Sequence, residues 1–126
     1  MAALELDARG KRPHEWRPLL DELLRASVAQ RRAGLPPLSQ TSVRYQREPK
    51  RRERWQSAQR TYELGYGDCE DLATYLAADL IVAGIPAKVI TKRVRPGLRH
   101  ALTLARVHGR YTLIDPSRAR GMGGRG

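Results

Sequence analysis

One stretch of the chain, residues 67–115, constrains the fold more than any other because its pattern changes from helical to extended. The stretch begins with leucines at every fourth residue, a spacing typical of one face of an α-helix. These are Leu72, Leu76 and Leu80. Asp68 can cap the start of this helix. Gly84 and Pro86 favour its end, because glycine adopts the left-handed conformation found after helices and proline cannot continue one.

Three strands and two turns follow the helix. Residues 87–95 are rich in β-branched side chains, residues 100–107 are apolar, and residues 110–115 end the series. Pro96-Gly97 and His108-Gly109 separate the strands with residue pairs that favour turns. Short turns of this kind join antiparallel neighbours. With the helices first and the strands after them, we predict an α+β fold.

Apolar residues at spacings of three and four predict an amphipathic helix near the start of the chain. They run from Trp16 to Val28. Because proline is tolerated only in the first turn of a helix, we expect the regular helix to begin near Pro18 and to end before Gly34.

The other residues ahead of the central stretch predict little regular structure. Residues 1–12 have the composition of a loose polar leader, and residues 39–56 that of an irregular basic linker with a short strand at 42–46. A short helix follows the linker, with Ser57 as its N-cap and Gly65 just past its end.

The chain carries a formal net charge of +11, and its densest basic run is Lys50-Arg51-Arg52-Glu53-Arg54. Excess positive charge favours nucleic acid, acidic proteins or other anionic surfaces as neighbours. No base-reading motif or aromatic stacking pattern accompanies the charge, so we expect nucleic-acid contacts to be non-specific. A solvated, arginine-rich surface explains the same composition without any partner.

Cys69 is the only cysteine in the 126 residues, so an intrachain disulfide is impossible. This favours a reducing, cytoplasmic setting. No stretch approaches the roughly 20 apolar residues that a membrane span needs, and the N-terminus lacks the apolar segment of a secretory signal. We therefore expect a cytoplasmic protein with no membrane partner.

Cys69 directly follows the expected cap of the central helix and is a candidate nucleophile. A thiol reacts as the thiolate, and the unpaired N–H groups at a helix start favour negative charge, so we expect the pKa of Cys69 to be lowered. His100 could take the thiol proton, and Asp115 could orient His100. With a turn at His108-Gly109, position 100 pairs roughly with positions 116–117, which brings Asp115 close to His100.

Each of these residues also has a non-catalytic interpretation. Cys69 could be a small buried apolar residue, His100 an ordinary residue at a strand edge, and Asp115 a turn former. Glu70 could simply complement the helix dipole. His108 is the competing imidazole, although the glycine beside it favours a turn.

Four motifs occur in order along the chain: Gly67-Asp68-Cys69-Glu70-Asp71-Leu72-Ala73, Gly84-Ile85-Pro86-Ala87, His100-Ala101 and Asp115-Pro116-Ser117. Together they resemble the core of the transglutaminase-like cysteine peptidase superfamily. The resemblance covers residues 55–120 and implies a papain-like fold, in which N-terminal helices and a helix bearing the nucleophile pack on a small antiparallel sheet. It also implies that Cys69, His100 and Asp115 are the catalytic triad.

Two further motifs are similar to those of short phage and prophage members of this superfamily. These are Arg52-Glu53-Arg54-Trp55 and Asp115-Pro116-Ser117-Arg118. The resemblance implies a phage-encoded protein in the host cytoplasm or the virion, with phage structural proteins among its partners. It divides the chain into a basic helical segment and linker (1–54), a transglutaminase-like core (55–120) and a flexible Gly/Arg tail (121–126).

Acyl transfer needs hydrogen-bond donors for the oxyanion, and the backbone N–H of Cys69 is one. The second donor is a Gln in papain-like enzymes and a Trp or Tyr in transglutaminases. The candidates here are Trp55, Gln56, Gln59 and Tyr62. We expect no cofactor and no metal, since no CxxC or HxxxH spacing accompanies the three candidate catalytic residues.

The sequence thus predicts a cysteine hydrolase or acyltransferase for a protein or peptide substrate. Protease, amidase and cross-linking activity on peptide or isopeptide bonds all fit. Because the superfamily includes inactive forms, the alternative is a non-catalytic phage virion or assembly protein, a head or tail component that keeps the fold as a scaffold.

Overall fold

The computed structural model describes residues 5–7, 13–47, 54–96 and 98–122. In these ranges the helices are α1 (Pro13–Arg32), α2 (Ala58–Leu64), α3 (Cys69–Val82) and α4 (Pro116–Ala119), with a 3₁₀ turn at Leu38–Gln40. The strands are β1 (Glu5–Asp7), β2 (Arg44–Tyr45), β3 (Arg54–Gln56), β4 (Tyr66–Gly67), β5 (Ala87–Arg95), β6 (Leu98–Val107) and β7 (Arg110–Ile114). None of the helices in this part of the chain is long and apolar enough to cross a membrane.

The helix α3 and a three-stranded sheet form the centre of the fold. β6 lies between β5 and β7 and runs antiparallel to both. One face of the sheet packs on α3, where the Thr103 hydroxyl donates to the carbonyl oxygen of Ala73 at 2.9 Å. This arrangement confirms the α+β prediction. β5 has its predicted bounds, whereas β6 begins two residues earlier and β7 ends one residue earlier than predicted.

α1 packs against α3 and begins earlier than its sequence indicated. Leu20 and Leu23 are buried in the same apolar cluster as Ala73 of α3. The helix starts at Pro13 and continues through Pro18, so the predicted start near Pro18 is wrong. Pro13 suits the first position of a helix because its φ is already helical. Pro18 is exposed and removes a single N–H donor, which does not end a helix that is stabilised by packing.

Part of the predicted leader and linker is extended. Glu5–Asp7 form β1, which pairs with β3 so that Leu6 lies opposite Trp55. The prediction of a loose leader is therefore wrong for these residues. Their pairing partner, β3, lies far along the chain, so the local sequence does not reveal the strand. β2 falls inside the predicted strand at 42–46 and pairs in parallel with β4. Residues 50–53 of the basic run 50–54 and residues 123–126 of the tail 121–126 lie outside the described residues.

α2 has its predicted ends, with Ser57 as N-cap and Gly65 in the left-handed conformation at φ 80°. The Ser57 hydroxyl makes no capping bond to α2 and instead accepts a hydrogen bond from Gln30 Nε2 at 3.1 Å. The Ser27 hydroxyl in turn accepts from the Ala58 N–H at 2.9 Å. These bonds hold α2 against α1, so α1 helps to place the chain that leads into α3.

Candidate active site

Two aspartates fix the start of α3. Asp68 accepts a hydrogen bond from the Asp71 N–H at 3.1 Å, and Asp71 Oδ2 accepts from the Asp68 N–H at 3.0 Å. Asp71 is fully buried, and its Oδ1 accepts from the Gln56 N–H at 2.7 Å. These bonds satisfy N–H groups that a helix start would leave without partners, and they tie α3 to β3. Cys69 is thereby held as the first residue of α3.

Gly67 allows this junction to pack closely. A Cβ at this position would lie 2.8 Å from Asp71 Cβ and 3.1 Å from Thr61 Cγ2. Contacts below 3.0 Å require the neighbouring atoms to move, and the Asp71 side chain is held by hydrogen bonds from the Gln56 and Asp68 N–H groups. The glycine is therefore required by space, whereas its φ is not in the left-handed region.

Cys69 is buried, and its thiol contacts both an acid and the central strand. The residue is 9% exposed. Its Sγ donates a hydrogen bond to Glu70 Oε2 at 3.2 Å. Ala101 on β6 packs in the same buried cluster as Cys69. Because Ala101 directly follows His100, the thiol lies beside the start of the segment that carries His100.

The surroundings of Cys69 favour a protonated thiol. Burial raises the pKa of Cys69, and the negative charges of Glu70 and Asp68 raise it further. The Ala101 N–H lowers this pKa, but by less. The expected lowering of the pKa by the helix start is therefore wrong for this arrangement. Loss of water around the thiol and two neighbouring carboxylates outweigh the helix dipole. Burial also raises the pKa of Glu70.

His100 and Asp115 form a direct pair. His100 Nε2 lies 2.8 Å from Asp115 Oδ2. Asp115 is also the N-cap of α4, since its Oδ1 accepts from the Ser117 N–H at 3.1 Å. One carboxylate oxygen is thus fixed by the backbone while the other meets the imidazole. Nδ1 of His100 takes no part in this pair and can transfer a proton.

The register of the sheet explains why this pair forms. β6 and β7 pair from Val107 and Arg110 as far as Thr103 and Ile114. Continuing that register places position 100 opposite position 117, which agrees with the expected 116–117. After Ile114 the chain turns into α4, and the Asp115 side chain reaches back to His100. The structure therefore brings His100 and Asp115 together next to the strand residue that contacts Cys69.

The four predicted oxyanion residues lie in different surroundings. Trp55 is 1% exposed and belongs to the apolar cluster that includes Cys69. Gln56 is buried, and its side-chain oxygen accepts a hydrogen bond within the protein. Gln59 donates to a glutamate within α2, and Tyr62 on the same helix is 45% exposed. Of these four, Trp55 alone shares a described cluster with Cys69.

Tyr45 on β2 is a site residue that the sequence did not reveal. Burial raises the pKa of the Tyr45 hydroxyl, and it lies close enough to Cys69 and Asp68 for their negative charges to raise it further. A raised pKa keeps the phenol protonated, so Tyr45 can donate a hydrogen bond at this site. The sequence indicated only a short strand here, and no local pattern connects that strand with Cys69.

Comparison with known families shows the superfamily of the chain. The family model of the transglutaminase-like superfamily matches residues 38–116. The chain belongs to this superfamily. The transglutaminase-like match includes Cys69, His100 and Asp115, and it begins ahead of residue 55, so it also contains Tyr45. Membership places the chain among families of the cysteine hydrolase and acyltransferase type.

Two other comparisons add no relatives. A search of curated proteins and a search of solved structures each gave no significant match. Within the described residues, no three His, Cys, Asp or Glu side chains are grouped as a metal site requires.

Proposed function

We propose that the chain is a cysteine hydrolase or acyltransferase that acts on peptide or isopeptide bonds. Cys69 is the nucleophile, His100 is the general base and then the general acid, and Asp115 orients His100. The observation that carries this proposal is the 2.8 Å pair between His100 Nε2 and Asp115 Oδ2. The residue after His100, Ala101, packs in the same buried cluster as Cys69.

We propose the first half of the reaction as follows. Cys69 Sγ attacks the substrate carbonyl carbon while its proton passes to His100 Nδ1, which is the ring nitrogen that Asp115 does not engage. The positive charge that forms on the imidazole is stabilised by the Asp115 carboxylate. The C–N bond then breaks, the departing amine takes the proton from His100, and a thioester remains on Cys69.

The oxyanion of this step needs donors, and the site supplies two in our proposal. The Cys69 N–H occupies the first position of α3, where a helix offers no internal acceptor. The Tyr45 hydroxyl is protonated and lies near Cys69. We prefer Tyr45 to Gln59 and Tyr62, whose side chains lie on α2.

The second half of the reaction sets the outcome. Attack of water on the thioester gives hydrolysis, so the enzyme acts as a protease or amidase. Attack of a lysine amine gives an isopeptide bond, so the enzyme cross-links proteins. In both cases His100 removes a proton from the attacking group and Cys69 leaves as the thiol.

The test uses an activated ester because it needs no knowledge of the natural substrate. Wild-type protein is mixed with p-nitrophenyl acetate, and acetylation of Cys69 is followed by intact mass spectrometry. We expect a thioester on Cys69 that forms faster than on a cysteine peptide at the same pH, followed by turnover. No acetyl adduct, or one formed at the peptide's rate, would contradict the proposal, and Cys69→Ala provides the blank.

A second candidate function rests on the pKa of Cys69. Because burial and two carboxylates raise this pKa, the resting thiol is a poor nucleophile. A non-catalytic phage virion or assembly protein, in the host cytoplasm or the particle, fits that property, and its net charge of +11 suits acidic virion proteins or DNA. This candidate predicts many copies in purified particles and normal assembly with Cys69→Ala. Loss of infectivity with Cys69→Ala would count against it.

A further inference from the structure

The central sheet carries its smaller side chains on the covered face and its larger apolar ones on the other. Ala101, Thr103 and Ala105 of β6 are fully buried, and the hydroxyl of Thr103 bonds to α3. Because side chains alternate along a strand, Leu102 and Leu104 project from the opposite face. Antiparallel sheets with one solvated face normally place polar residues there. This face of β6 is leucine-rich instead.

The strand register adds further apolar residues to this face. Ile90 lies opposite Leu102, and Leu113 lies opposite Leu104. Leu113 is 54% exposed, and Tyr111 beside it is 70% exposed. We call this surface the outer face. It comprises Ile90, Leu102, Leu104, Leu113 and Tyr111, with Lys88, Lys92 and Arg106 in the same rows.

The charged residues of β5 and β6 that border the outer face are cationic in the part of the chain that the structure describes. Lys88 and Lys92 are exposed on β5, and Arg106 is exposed on β6. The Arg106 guanidinium lies over the Tyr111 ring, 5.8 Å from its centre. Residues 80–114 contain seven Lys or Arg and no Asp or Glu. An exposed apolar patch with a rim of one charge is typical of an interaction site.

We propose that the outer face binds an acidic, amphipathic α-helix of a partner protein. Three strands spaced about 4.8 Å apart span roughly 10 Å between the outer two, and a helix with its side chains is about 10–12 Å wide. One helix therefore covers the sheet, as α3 does on the inner face. Its apolar stripe meets the leucines, and its acidic residues meet Lys88, Lys92 and Arg106.

Charge favours an acidic helix over a second copy of the chain, one of the chain's own segments or a nucleic acid as the occupant of the outer face. A second copy of the chain would place cations against cations. The chain's own segments outside the described ranges are 1–4, 8–12, 48–53, 97 and 123–126. Together they hold seven Lys or Arg against two Glu, so they are basic overall. A duplex nucleic acid would neutralise the rim, but its base faces are stacked inside the helix and would not cover Leu113. This inference is independent of the proposed catalysis, because none of these residues belongs to the candidate active site.

The test measures binding of a synthetic helix to the whole protein. The probe is a fluorescein-labelled 18-residue peptide of Leu, Ala and Glu with its leucines at helical spacing, titrated by fluorescence anisotropy. We expect saturable binding, and we expect Tyr111→Ser with Leu113→Ser to weaken it at least about tenfold. Tyr62→Ser, which removes an exposed aromatic on α2, is the matched control and should change binding less than about twofold.

Charge is tested in the same way with two matched double variants. Lys88→Glu with Arg106→Glu should weaken binding at least about tenfold. Arg44→Glu with Arg47→Glu, at two exposed positions on and after β2, changes the net charge equally and should have less than about twofold effect. Hydrogen exchange of the wild type provides a measurement without variants. There, the peptide should protect backbone amides of β6 and β7.

Four results would overturn the inference. The first is equal binding of a peptide with the same composition in scrambled order, and the second is no binding of the helical peptide by the folded wild type. The third is that an 18-nucleotide DNA binds more tightly than the peptide and that the charge variants abolish this binding. The fourth is a dimer in sedimentation that dissociates when Tyr111→Ser and Leu113→Ser are introduced together.

Discussion

Replacing Glu70 by Gln should make Cys69 more reactive. The thiol donates to Glu70 Oε2 at 3.2 Å, and the charge of Glu70 is the largest cause after burial of the raised pKa of Cys69. Glutamine keeps the size of the side chain and an acceptor oxygen but removes the charge. The thiolate then forms beside one carboxylate, Asp68, instead of two, so the pKa of Cys69 falls.

The size of the effect follows from the distance. Two unit charges about 4 Å apart interact by about 1 kcal/mol in water and by about 4 kcal/mol at the effective dielectric typical of pairs near a protein surface. This corresponds to about 1 to 3 pKa units on Cys69. A lower pKa gives more thiolate at neutral pH, but each thiolate is less nucleophilic, with a Brønsted slope of about 0.4–0.5. About half of the logarithmic gain in thiolate fraction therefore remains in the rate. This predicts a rate increase of about 3- to 30-fold.

The assay measures the rate at which iodoacetamide alkylates Cys69 between about pH 5 and 10, a range that brackets the usual thiol pKa. Mass spectrometry follows the formation of the single adduct. The alkylation rate of Glu70→Gln should exceed that of wild type at neutral pH. The two rates should converge at low pH, where Glu70 is itself protonated. Glu22→Gln, on the exposed side of α1, is the matched control. Equal or slower alkylation of Glu70→Gln than of Glu22→Gln at neutral pH would refute the assigned role of Glu70.

Three further predictions follow from the junction and the imidazole pair. Asp71→Ala leaves the Gln56 and Asp68 N–H groups without their buried acceptor. It should lower the free energy of unfolding, measured in urea, by about 2–5 kcal/mol. Asp21→Ala, which removes an exposed ion pair with Arg17, should change it by about 0.5 kcal/mol or less. Equal effects of these two would contradict the bonding described. Gly67→Ala should cost about 1–3 kcal/mol, because its Cβ would meet Asp71 at 2.8 Å; an unchanged thermal midpoint would contradict this. Asp115→Asn should slow ester acylation of Cys69 by about 100-fold or more, since it no longer fixes the tautomer of His100; wild-type rates would refute the orienting role.

The elements nearest the site were predictable because their signals are local. The leucines of α3, the cap at Asp68 and the stop at Gly84 lie within one segment, and the structure places the helix at Cys69–Val82. The pairing of His100 with Asp115 was predictable as well. A two-residue turn at His108-Gly109 sets the register of β6 and β7, and register decides which residues meet.

The rest depends on contacts between distant parts of the chain. β1 exists only through its pairing with β3, so residues 5–7 show no strand pattern of their own. Tyr45 reaches the site because β2 pairs with β4, the two residues ahead of the Asp68 cap. The raised pKa of Cys69 follows from burial, which no spacing of residues reveals. Sequence patterns therefore predicted the candidate catalytic residues but not the protonation of Cys69.

The dependence of Cys69 acylation on His100 tests the central claim most directly. The rate of acetylation by p-nitrophenyl acetate is compared for wild type, His100→Asn and His108→Asn. His108 is an exposed turn residue with φ 52°, a conformation that asparagine tolerates, so it is the matched control. We predict a loss of about 100-fold or more for His100→Asn, as expected for a general base, and less than about twofold for His108→Asn. Equal rates for the two variants would contradict the triad of Cys69, His100 and Asp115.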